Sequence, residues 1–196
     1  MERDERAIID LEKLKPYGIE KWLHHLRRYQ FVATFLRETD AVLDICCGTG
    51  YGTAIMSEVA ECVMGIDKIE AIDFAKKHYP SCRFLVRDIA KYDFPYTYDV
   101  ITMFECLDHL EKKDGLDILA KAAKSCRSMM FLSLPQDQKL DITPYHLAEW
   151  NDVELKSELG KHFSRVMLFG QSWVTGSIYY PYEERRSITV FVGVKN

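Results

Sequence analysis

The sequence predicts an α/β fold built on a seven-stranded sheet that is mostly parallel, with an antiparallel pair of strands at the C-terminal end. Strand-like apolar runs alternate with helical patterns from residue 41 onward, which is the order of parallel strands joined by right-handed helical crossovers. A turn containing three glycines, at Gly48, Gly50 and Gly52, follows the first run and opens a helical pattern. The last two strand-like runs have no helical pattern between them, so we expect them to be antiparallel neighbours.

Apolar runs bounded by turn residues predict the strands, and they lie at Ala41–Cys46, Cys62–Asp67, Cys82–Arg87, Asp99–Phe104, Ser128–Leu134, Arg165–Gly170 and Ser187–Val194. Helical periodicity predicts the helices, at Glu5–Leu14, Ile19–Leu36, Thr53–Val59, Ile69–His78, Gly115–Ser125 and Asp152–Leu159. The first helix ends before Pro16, and the last has Asn151 as its N-cap and Gly160 as its stop. We expect one domain over residues 1–196, with N-terminal helices in 1–37 and a core in 38–196.

Composition excludes several classes of protein. The net charge is −4, from 26 basic and 30 acidic side chains. The chain therefore lacks the excess of positive charge that non-specific nucleic-acid binding needs. The six cysteines form no C-x-x-C pair and sit mostly in apolar runs, which argues against a zinc finger and a secreted disulfide framework. Residues 1–6 are charged and carry no signal peptide, and no apolar run reaches membrane-spanning length. We therefore expect a cytoplasmic protein without a membrane partner, and Cys46 and Cys47 as packing residues.

The glycine turn indicates the kind of ligand. A strand, a glycine-rich turn and a helix hold the adenosine end of a cofactor in parallel sheets. Here Gly52 comes one residue too early for the dinucleotide pattern G-x-G-x-x-G, and Asp44 lies four residues before Gly48. This acid would repel a pyrophosphate and attract a cation. The turn therefore favours adenosine without phosphates and with a positive charge, and disfavours a nicotinamide dehydrogenase. The sequence also lacks the P-loop pattern G-x-x-x-x-G-K-[ST].

From residue 25 onward the chain resembles the class I S-adenosylmethionine-dependent methyltransferases. The resemblance is carried by Val42–Gly50, by Asp67 after the second strand, and by Arg87-Asp88-Ile89 after the third. It is strongest for a subgroup with the motifs R-Y-x-F, E-x-x-E-H and H-x-x-E-[FW]. These motifs appear here as Arg28–Phe31, Glu105–His109 and His146–Trp150, with Asp108 where the subgroup has glutamate and with a second cysteine in the glycine motif.

The resemblance implies a Rossmann-like class I methyltransferase fold with S-adenosyl-L-methionine as its cofactor. The implied cofactor-binding residues are Tyr29, Asp44, Cys46, Gly48, Gly50, Asp67, Lys68, Asp88, Ile89, Phe104 and Glu105. Gly48 and Gly50 let the backbone approach the ligand. Asp67 follows the glycine turn at about the interval that usually separates such a turn from the acid that hydrogen-bonds the ribose hydroxyls. By resemblance, Asp88 and the Ile89 amide meet the adenine, and Arg28 and Tyr29 close over the methionine end.

His109 and His146 are the candidate catalytic residues, because each follows a strand whose carboxyl end should border the ligand site. Methyl transfer to a hydroxyl or an amine benefits from a base within hydrogen-bonding distance of the acceptor proton. A second interpretation comes from resemblance to the small-RNA 3′-terminal 2′-O-methyltransferases. In that interpretation Glu105, Asp108, His109 and His146 hold a divalent ion, for which Mn, Fe or Co suits the donors better than Mg.

Three functions therefore compete. The first is methyl transfer to an oxygen of a small molecule or glycan, with the acceptor covered by Asp137–Trp150 and the Tyr179–Tyr182 loop, and with Tyr145, Trp150 and Trp173 on an aromatic rim. The second is a metal-dependent RNA 3′-terminal 2′-O-methyltransferase, which the negative net charge disfavours. The third is a cofactor-binding subunit without chemistry, because binding motifs report binding alone.

Overall fold

The structure is a computed structural model, and it describes residues 22–135, 146–182 and 188–196. The predicted helix Glu5–Leu14 lies outside these residues, as do Tyr145 and most of the predicted acceptor-covering segment Asp137–Trp150. The statements that follow concern the described residues.

Five α-helices form where the periodicity of the sequence predicts them, at α1 (Leu23–Ala33), α2 (Tyr51–Ser57), α3 (Ile69–His78), α4 (Lys112–Ser125) and α5 (Asp152–Gly160). Short 3₁₀ turns follow two of the strands, at Ile89–Lys91 and Leu107–His109. The Asn151 side chain caps α5 by accepting a hydrogen bond from the Glu154 N–H at 2.8 Å, as the sequence predicts.

The strands are β1 (Ala41–Ile45), β2 (Cys62–Asp67), β3 (Arg83–Val86), β4 (Tyr98–Phe104), β5 (Cys126–Pro135), β6 (Arg165–Gln171), β7 (Ile178–Tyr179) and β8 (Ile188–Val194). They form one sheet in the order β3-β2-β1-β4-β5-β8-β6-β7. Strands β1 to β5 pair in parallel, and β8 pairs antiparallel with both β5 and β6. The mostly parallel sheet and its antiparallel C-terminal strands are thus confirmed.

The number of strands in the described part of the chain is eight, so the expected seven is wrong by one. The additional strand is β7, whose two residues pair with Gly170 and Gln171 at the edge of the sheet. It lies in the tyrosine-rich stretch that the sequence pattern predicts as loop. A strand of two residues has no periodicity of its own, because alternation needs at least four residues to be visible.

Alternate residues of β1 face opposite layers of the molecule. Leu43 and Ile45 belong to a core shared with α4 and α5, whereas Val42 packs with α1 and α2 on the other face. All three side chains have no solvent exposure. Asp44 follows Val42 at the period of 2 that a strand imposes, so its carboxylate points into the layer beneath α1 and α2.

Helix α1 is fixed at two places along its length. Near its start, the Gln171 side chain at the end of β6 donates hydrogen bonds to the His24 carbonyl at 2.9 Å and to the Gly176 carbonyl at 3.1 Å. One turn later, the Tyr29 ring packs against α2, where Gly52 leaves the room that the ring occupies. These contacts hold α1 across the carboxyl end of β1.

No helix within the described ranges is both long enough and apolar enough to cross a membrane.

Gly52 provides a test of this packing. A Cβ at Gly52 would overlap the Tyr29 ring, so we expect Gly52→Ala to lower the free energy of unfolding by about 1–3 kcal/mol, as overpacking does. The measurement is urea denaturation at pH 7. The matched control is Gly160→Ala in the last turn of α5, where a Cβ meets nothing within 4 Å and the change should stay within about 0.5 kcal/mol. Equal effects of the two substitutions would contradict the role given to Gly52.

Candidate functional site

The candidate site lies where the strand order reverses. From β1 the chain continues to β2 and β3 on one side of the sheet and then crosses back to β4 on the other side of β1. The connections that leave β1 and β4 therefore run in opposite directions along the sheet. Ligands of open parallel sheets bind in the crevice that such a reversal leaves at the carboxyl ends of the strands. Seven of the eleven residues predicted to bind the cofactor lie in the turns after β1, β2, β3 and β4, and two more, Asp67 and Phe104, are the last residues of β2 and β4.

The turn after β1 presents its backbone to this crevice. Cys46, Gly48 and Gly50 all adopt positive φ, at 56°, 55° and 86°. The Gly48 N–H donates a hydrogen bond to Asp67 at 2.8 Å, which fixes the turn to the end of β2. A Cβ on Gly48 would meet no protein atom within 4 Å, so this part of the turn faces open space. A ligand can therefore approach this part of the backbone closely, because no side chain stands in its way.

The acids after β2 and β3 stand at the same edge as the glycine turn. Asp67 also accepts a hydrogen bond from the Lys68 N–H at 2.7 Å, so both of its oxygens have backbone donors. Asp88 accepts from the Ala90 N–H at 3.2 Å and pairs with Lys91 at 3.1 Å, while half of its side-chain surface is exposed. These contacts orient both acids, and their predicted contacts with ribose and adenine stay predictions.

Asp44 lies behind the turn and is completely buried. Its carboxylate accepts hydrogen bonds from Thr53 and Thr102 at 2.7 Å each and from the Tyr29 hydroxyl at 3.2 Å. Burial raises the pKa of Asp44 to about 6, although the three hydroxyl donors oppose the rise. Tyr29 and Phe104 are also buried, with ring centroids 5.0 Å apart. These three predicted cofactor residues therefore form the floor under the glycine turn.

An ion pair between Arg28 and Glu105 joins α1 to the end of β4. Arg28 is 1% exposed, and its guanidinium also donates to the Ser133 hydroxyl at 2.6 Å and contacts His25 Nδ1 at 3.0 Å. Burial raises the pKa of Glu105, but Arg28 and His25 outweigh burial and hold it at about 2. Burial lowers the pKa values of His24 and His25 to about 4 and 3, so both imidazoles are neutral at pH 7. The resemblance implied that Arg28 closes over the methionine end of the cofactor. In the structure, the Arg28 guanidinium forms an ion pair with Glu105.

Cys46 and Cys106 form a disulfide, with 6.0 Å between their Cα atoms. Cys46 packs at the edge of a core, as expected, but it also takes part in a bridge that the sequence analysis did not predict. The bridge joins positions 60 residues apart in the chain. Local spacing carries no information on such a pair, because the pairing of β1 with β4 is what brings the two turns together. Cys47, next to Cys46, is a free buried thiol as expected.

His109 and His146, the candidate catalytic residues, meet at Asp108. Asp108 Oδ2 lies 3.3 Å from His146 Nε2 and 3.9 Å from His109 Nε2, and the two rings are 5.2 Å apart. Asp108 is 1% exposed, and its other oxygen has no hydrogen-bond partner among the described residues. Burial raises the pKa of the Asp108 carboxyl, against the effect of the two histidines. This cluster can orient an imidazole as a proton acceptor, or it can supply donors to a cation.

Three of the four residues in the predicted metal set come together. One donor atom from each of Asp108, His109 and His146 lies within 4.8 Å of the others. Glu105, the fourth, is held by Arg28 instead. The donor set on this chain is therefore one carboxylate and two imidazoles, a chemistry that suits Mn, Fe or Co.

The segment after β5 returns to this cluster through backbone contacts. The N–H groups of Leu147 and Ala148 both donate to the Asp108 carbonyl, at 2.8 and 3.3 Å. The Trp150 indole donates to the Leu107 carbonyl at 3.1 Å, and the Lys112 ammonium stands 3.8 Å above its ring. Trp150 is 7% exposed, so it anchors the segment and does not line an aromatic rim. The two motifs E-x-x-D-H and H-x-x-E-W thus form one structural unit.

Several residues of the site have no distinguishing signal in the sequence. Thr53 and Thr102 hold Asp44, and Ser133 accepts a hydrogen bond from Arg28, but a hydroxyl residue in a strand or helix predicts only local structure. His24 and His25 lie just before the R-Y-x-F motif, separated from it by two residues, and this adjacent pair is the sign in the sequence that this surface carries polar chemistry.

Comparison with known proteins gives one family and one fold. Residues 42–128 match the family model described as "Methyltransferase domain". A probable S-adenosylmethionine-dependent methyltransferase of Mycobacterium tuberculosis (strain ATCC 25618 / H37Rv) is 28% identical over 165 residues, which cover 79% of this chain. The chain spans 58% of the length of that relative.

Solved structures share the fold at low sequence identity. A TehB-like SAM-dependent methyltransferase from Corynebacterium glutamicum has a TM-score of 0.68 at 18% identity, covering 87% of this chain and 88% of its own. The magnesium protoporphyrin IX methyltransferase of Synechocystis PCC 6803, solved with bound SAH, has a TM-score of 0.70 at 14% identity, covering 98% and 90%. The fold is therefore the Rossmann-like class I methyltransferase fold that the resemblance implied.

The Arg28–Glu105 pair makes a prediction for stability. We expect Arg28→Met and Glu105→Gln each to lower the free energy of unfolding by about 3 kcal/mol, because either change leaves a desolvated partner unpaired. The double variant should lose less than the sum of the two. The folded pKa of about 2 lies below the ordinary 4.5, so the stability from Glu105 is present above pH 4.5 and is lost as pH falls toward 2. Glu105→Gln should lack this part of the pH dependence.

The measurement is urea denaturation of the four proteins between pH 3 and pH 7. The control is Lys161→Ala, which breaks an exposed pair with Glu158 and should cost less than about 1 kcal/mol. Strictly additive effects of Arg28→Met and Glu105→Gln would show that the two side chains are not coupled.

Proposed function

We propose that this chain, which carries a class I S-adenosylmethionine-dependent methyltransferase domain, transfers a methyl group from S-adenosyl-L-methionine to an oxygen of a small molecule or a glycan. The observation that carries the proposal is the position of the Asp108–His109–His146 cluster. It follows β4, the strand that borders the cofactor crevice, and it lies two residues beyond the bridge to the glycine turn. A proton acceptor and a methyl-donor site thus share one edge of the sheet.

The cofactor is supported by the family match, by the names of the relatives and by the bound SAH of a neighbour with the same fold. Toward it, Gly48 offers open backbone, while Asp67 and Asp88 border the crevice with oriented carboxylates. Asp44, Tyr29 and Phe104 support this surface from below. S-adenosylmethionine supplies a methyl group already activated by its sulfonium.

The chain's own contribution is to position the acceptor and to receive its proton. As the acceptor oxygen attacks, the methyl C–S bond breaks, a C–O bond forms and the oxygen must lose its proton. We assign His146 as the group that accepts this proton, since Asp108 stands 3.3 Å from its Nε2 and stabilises the imidazolium that results. His109, the more exposed ring with 40% of its side chain accessible, faces the acceptor side.

Aromatic side chains continue from the crevice toward the surface. Trp173, 49% exposed, stacks on His24 at 4.2 Å, and His24 lies 4.0 Å from His25. His25 in turn reaches to 4.0 Å from Glu105. Trp173 is the exposed end of this row of rings, and an exposed indole suits a ring or a sugar face, which supports an aromatic or glycan acceptor.

One observation favours a second candidate. The donor atoms of Asp108, His109 and His146 converge within 4.8 Å, and a buried Asp108 oxygen has no partner among the described residues. A divalent cation held by these residues would orient the acceptor hydroxyl and assist its deprotonation. These are three of the four residues expected to hold the ion in a metal-dependent RNA 3′-terminal 2′-O-methyltransferase. Against it stand the ion pair that occupies Glu105 and the net charge of −4.

Gly48→Ala tests the cofactor site. A Cβ at Gly48 points into open space, so the protein should fold with a loss of only about 1–2 kcal/mol from the positive φ. The same Cβ should weaken the binding of S-adenosylhomocysteine by about tenfold or more, because the ligand must approach this backbone. Calorimetric titration measures the affinity, with Gly160→Ala as a glycine control outside the crevice. Unchanged affinity in Gly48→Ala would move the cofactor away from this turn.

A screen for S-adenosylhomocysteine release tests the acceptor. Sugars, nucleotide-sugars, small phenols and RNA 3′ ends are offered with and without a chelator. We expect turnover with a hydroxyl-bearing small molecule or glycan that survives chelation, and a fall of about 10²–10⁴-fold in His146→Ala. His78→Ala, whose ring stacks on Phe74 in α3, is the matched control and should keep full activity.

The screen also separates the alternatives. Turnover confined to RNA ends and abolished by chelation would establish the second candidate. Binding of S-adenosylhomocysteine without turnover of any acceptor class would point to a cofactor-binding subunit.

A further inference from the structure

The Cys46–Cys106 disulfide crosses the cofactor crevice. Cys46 is the first residue after β1, and Cys106 is the second residue after β4. These two strands are neighbours, and the strand order reverses between them. Because that reversal opens the crevice in which ligands of such sheets bind, the bridge spans the crevice at its base. The Cα separation of 6.0 Å lies within the usual range for a disulfide.

The backbone on both sides of the bridge has an unusual conformation. Cys46 adopts φ 56°, and Glu105, next to Cys106, adopts φ 47°. Glycine takes this left-handed region without cost, but a residue with a Cβ does not. In a turn that otherwise uses glycine wherever φ is positive, a cysteine at position 46 therefore costs conformational energy. Such outliers are kept where the side chain has a task, and here the task is the thiol.

The pairing is specific to these two cysteines. The other four are free, and they include Cys47, which directly follows Cys46 but points into the core formed with Ile72, Ala75 and Phe84. Cys46 itself is half-buried and packs at the edge of the other core, whereas Cys106 is 2% exposed. Of the two bridged residues, Cys46 is therefore the more exposed and Cys106 the more protected.

We propose that reversible oxidation of Cys46 and Cys106 controls the affinity of the crevice for the adenosyl cofactor. In the disulfide form the β1 turn is joined to the β4 segment, so the two turns cannot adjust around the ligand and binding is weaker. In the dithiol form the two turns are independent and the ligand binds more tightly. The identity of the ligand rests on the proposed function, and the control of the crevice rests on the bridge itself.

The reaction is thiol–disulfide exchange with a small-molecule disulfide such as oxidised glutathione. The Cys46 thiolate, as the more accessible one, attacks one sulfur of oxidised glutathione and displaces a glutathione thiolate. The Cys106 thiolate then attacks Cys46 in this mixed disulfide and displaces the second glutathione. Two protein thiols lose two protons and two electrons, and one oxidised glutathione becomes two reduced glutathiones. An excess of reduced dithiol reverses both steps.

The cross-link also reaches the proton acceptor of the proposed reaction. Cys106 precedes the turn Leu107–His109, and Asp108 in that turn holds both His146 and the backbone of residues 147–148. Oxidation therefore fixes the methyl-donor turn and the catalytic cluster to each other. One covalent bond can in this way set the geometry of both halves of the site.

The test compares the binding of S-adenosylhomocysteine to the full chain in its two redox states. The protein is equilibrated with oxidised or reduced glutathione, and a non-reducing peptide map identifies the Cys46–Cys106 bridge. We expect calorimetric titration to show affinity at least about tenfold weaker in the oxidised protein, within the usual range of coupling between two sites. Dithiothreitol should restore the affinity of the reduced protein.

Variants separate the bridge from other effects of oxidation. Cys106→Ser and Cys106→Ala should bind S-adenosylhomocysteine like the reduced protein under both conditions. Cys82→Ser, which keeps the pair and removes a free cysteine, should respond like the unmodified chain. A bridged protein that binds as tightly as the reduced one would overturn the proposal, and so would a pair that stays reduced under oxidised glutathione. If the reduced protein and both Cys106 variants bind no S-adenosylhomocysteine, the proposed function fails instead.

Discussion

The carboxylate of Asp44 is completely buried, and the hydroxyls of Tyr29, Thr53 and Thr102 donate hydrogen bonds to it. These donors come from α1, α2 and β4, so four elements meet at one side chain of β1. A buried carboxylate is costly unless its oxygens are hydrogen-bonded, and each donor must therefore stay in place. This constraint fixes α1 and α2 against β1. It thereby fixes the position of the glycine turn, which joins β1 to α2.

The Arg28–Glu105 pair adds a second constraint on the same face. It connects α1 to the residue that follows β4, and the guanidinium also donates a hydrogen bond to Ser133 of β5. Burial, with the nearby Arg28 charge acting in the same direction, lowers the pKa values of His24 and His25, so both rings are uncharged at pH 7. Helix α1 is thus both a structural cover and one wall of the crevice, since the side chains that anchor it also determine the charge there.

The two constraints together explain why chemistry concentrates at the β1–β4 junction. The turn after β1 carries open backbone, and the turn after β4 carries Glu105, Cys106 and Asp108. The segment after β5 is attached to the Asp108 carbonyl and brings His146 to the cluster. The glycine turn, the bridge and the Asp108–His146 cluster are therefore consecutive along one edge of the sheet. A change in the redox state of the cysteines would act on all three, because the turns that hold them are covalently joined.

The sequence by itself determined the α/β order, the glycine turn, and the acids Asp67 and Asp88 at successive strand ends. Each of these depends on local patterns: period 2 in strands, helical periodicity, and glycine where φ is positive. Only the tertiary structure decided that Glu105 pairs with Arg28 and not with the Asp108 cluster, that Cys46 bonds to Cys106, and that Trp150 is an anchor. These choices join residues 77, 60 and 43 positions apart, and strand pairing and packing settle them. Local sequence patterns do not reveal such contacts, because the interacting groups become neighbours only once the sheet has formed.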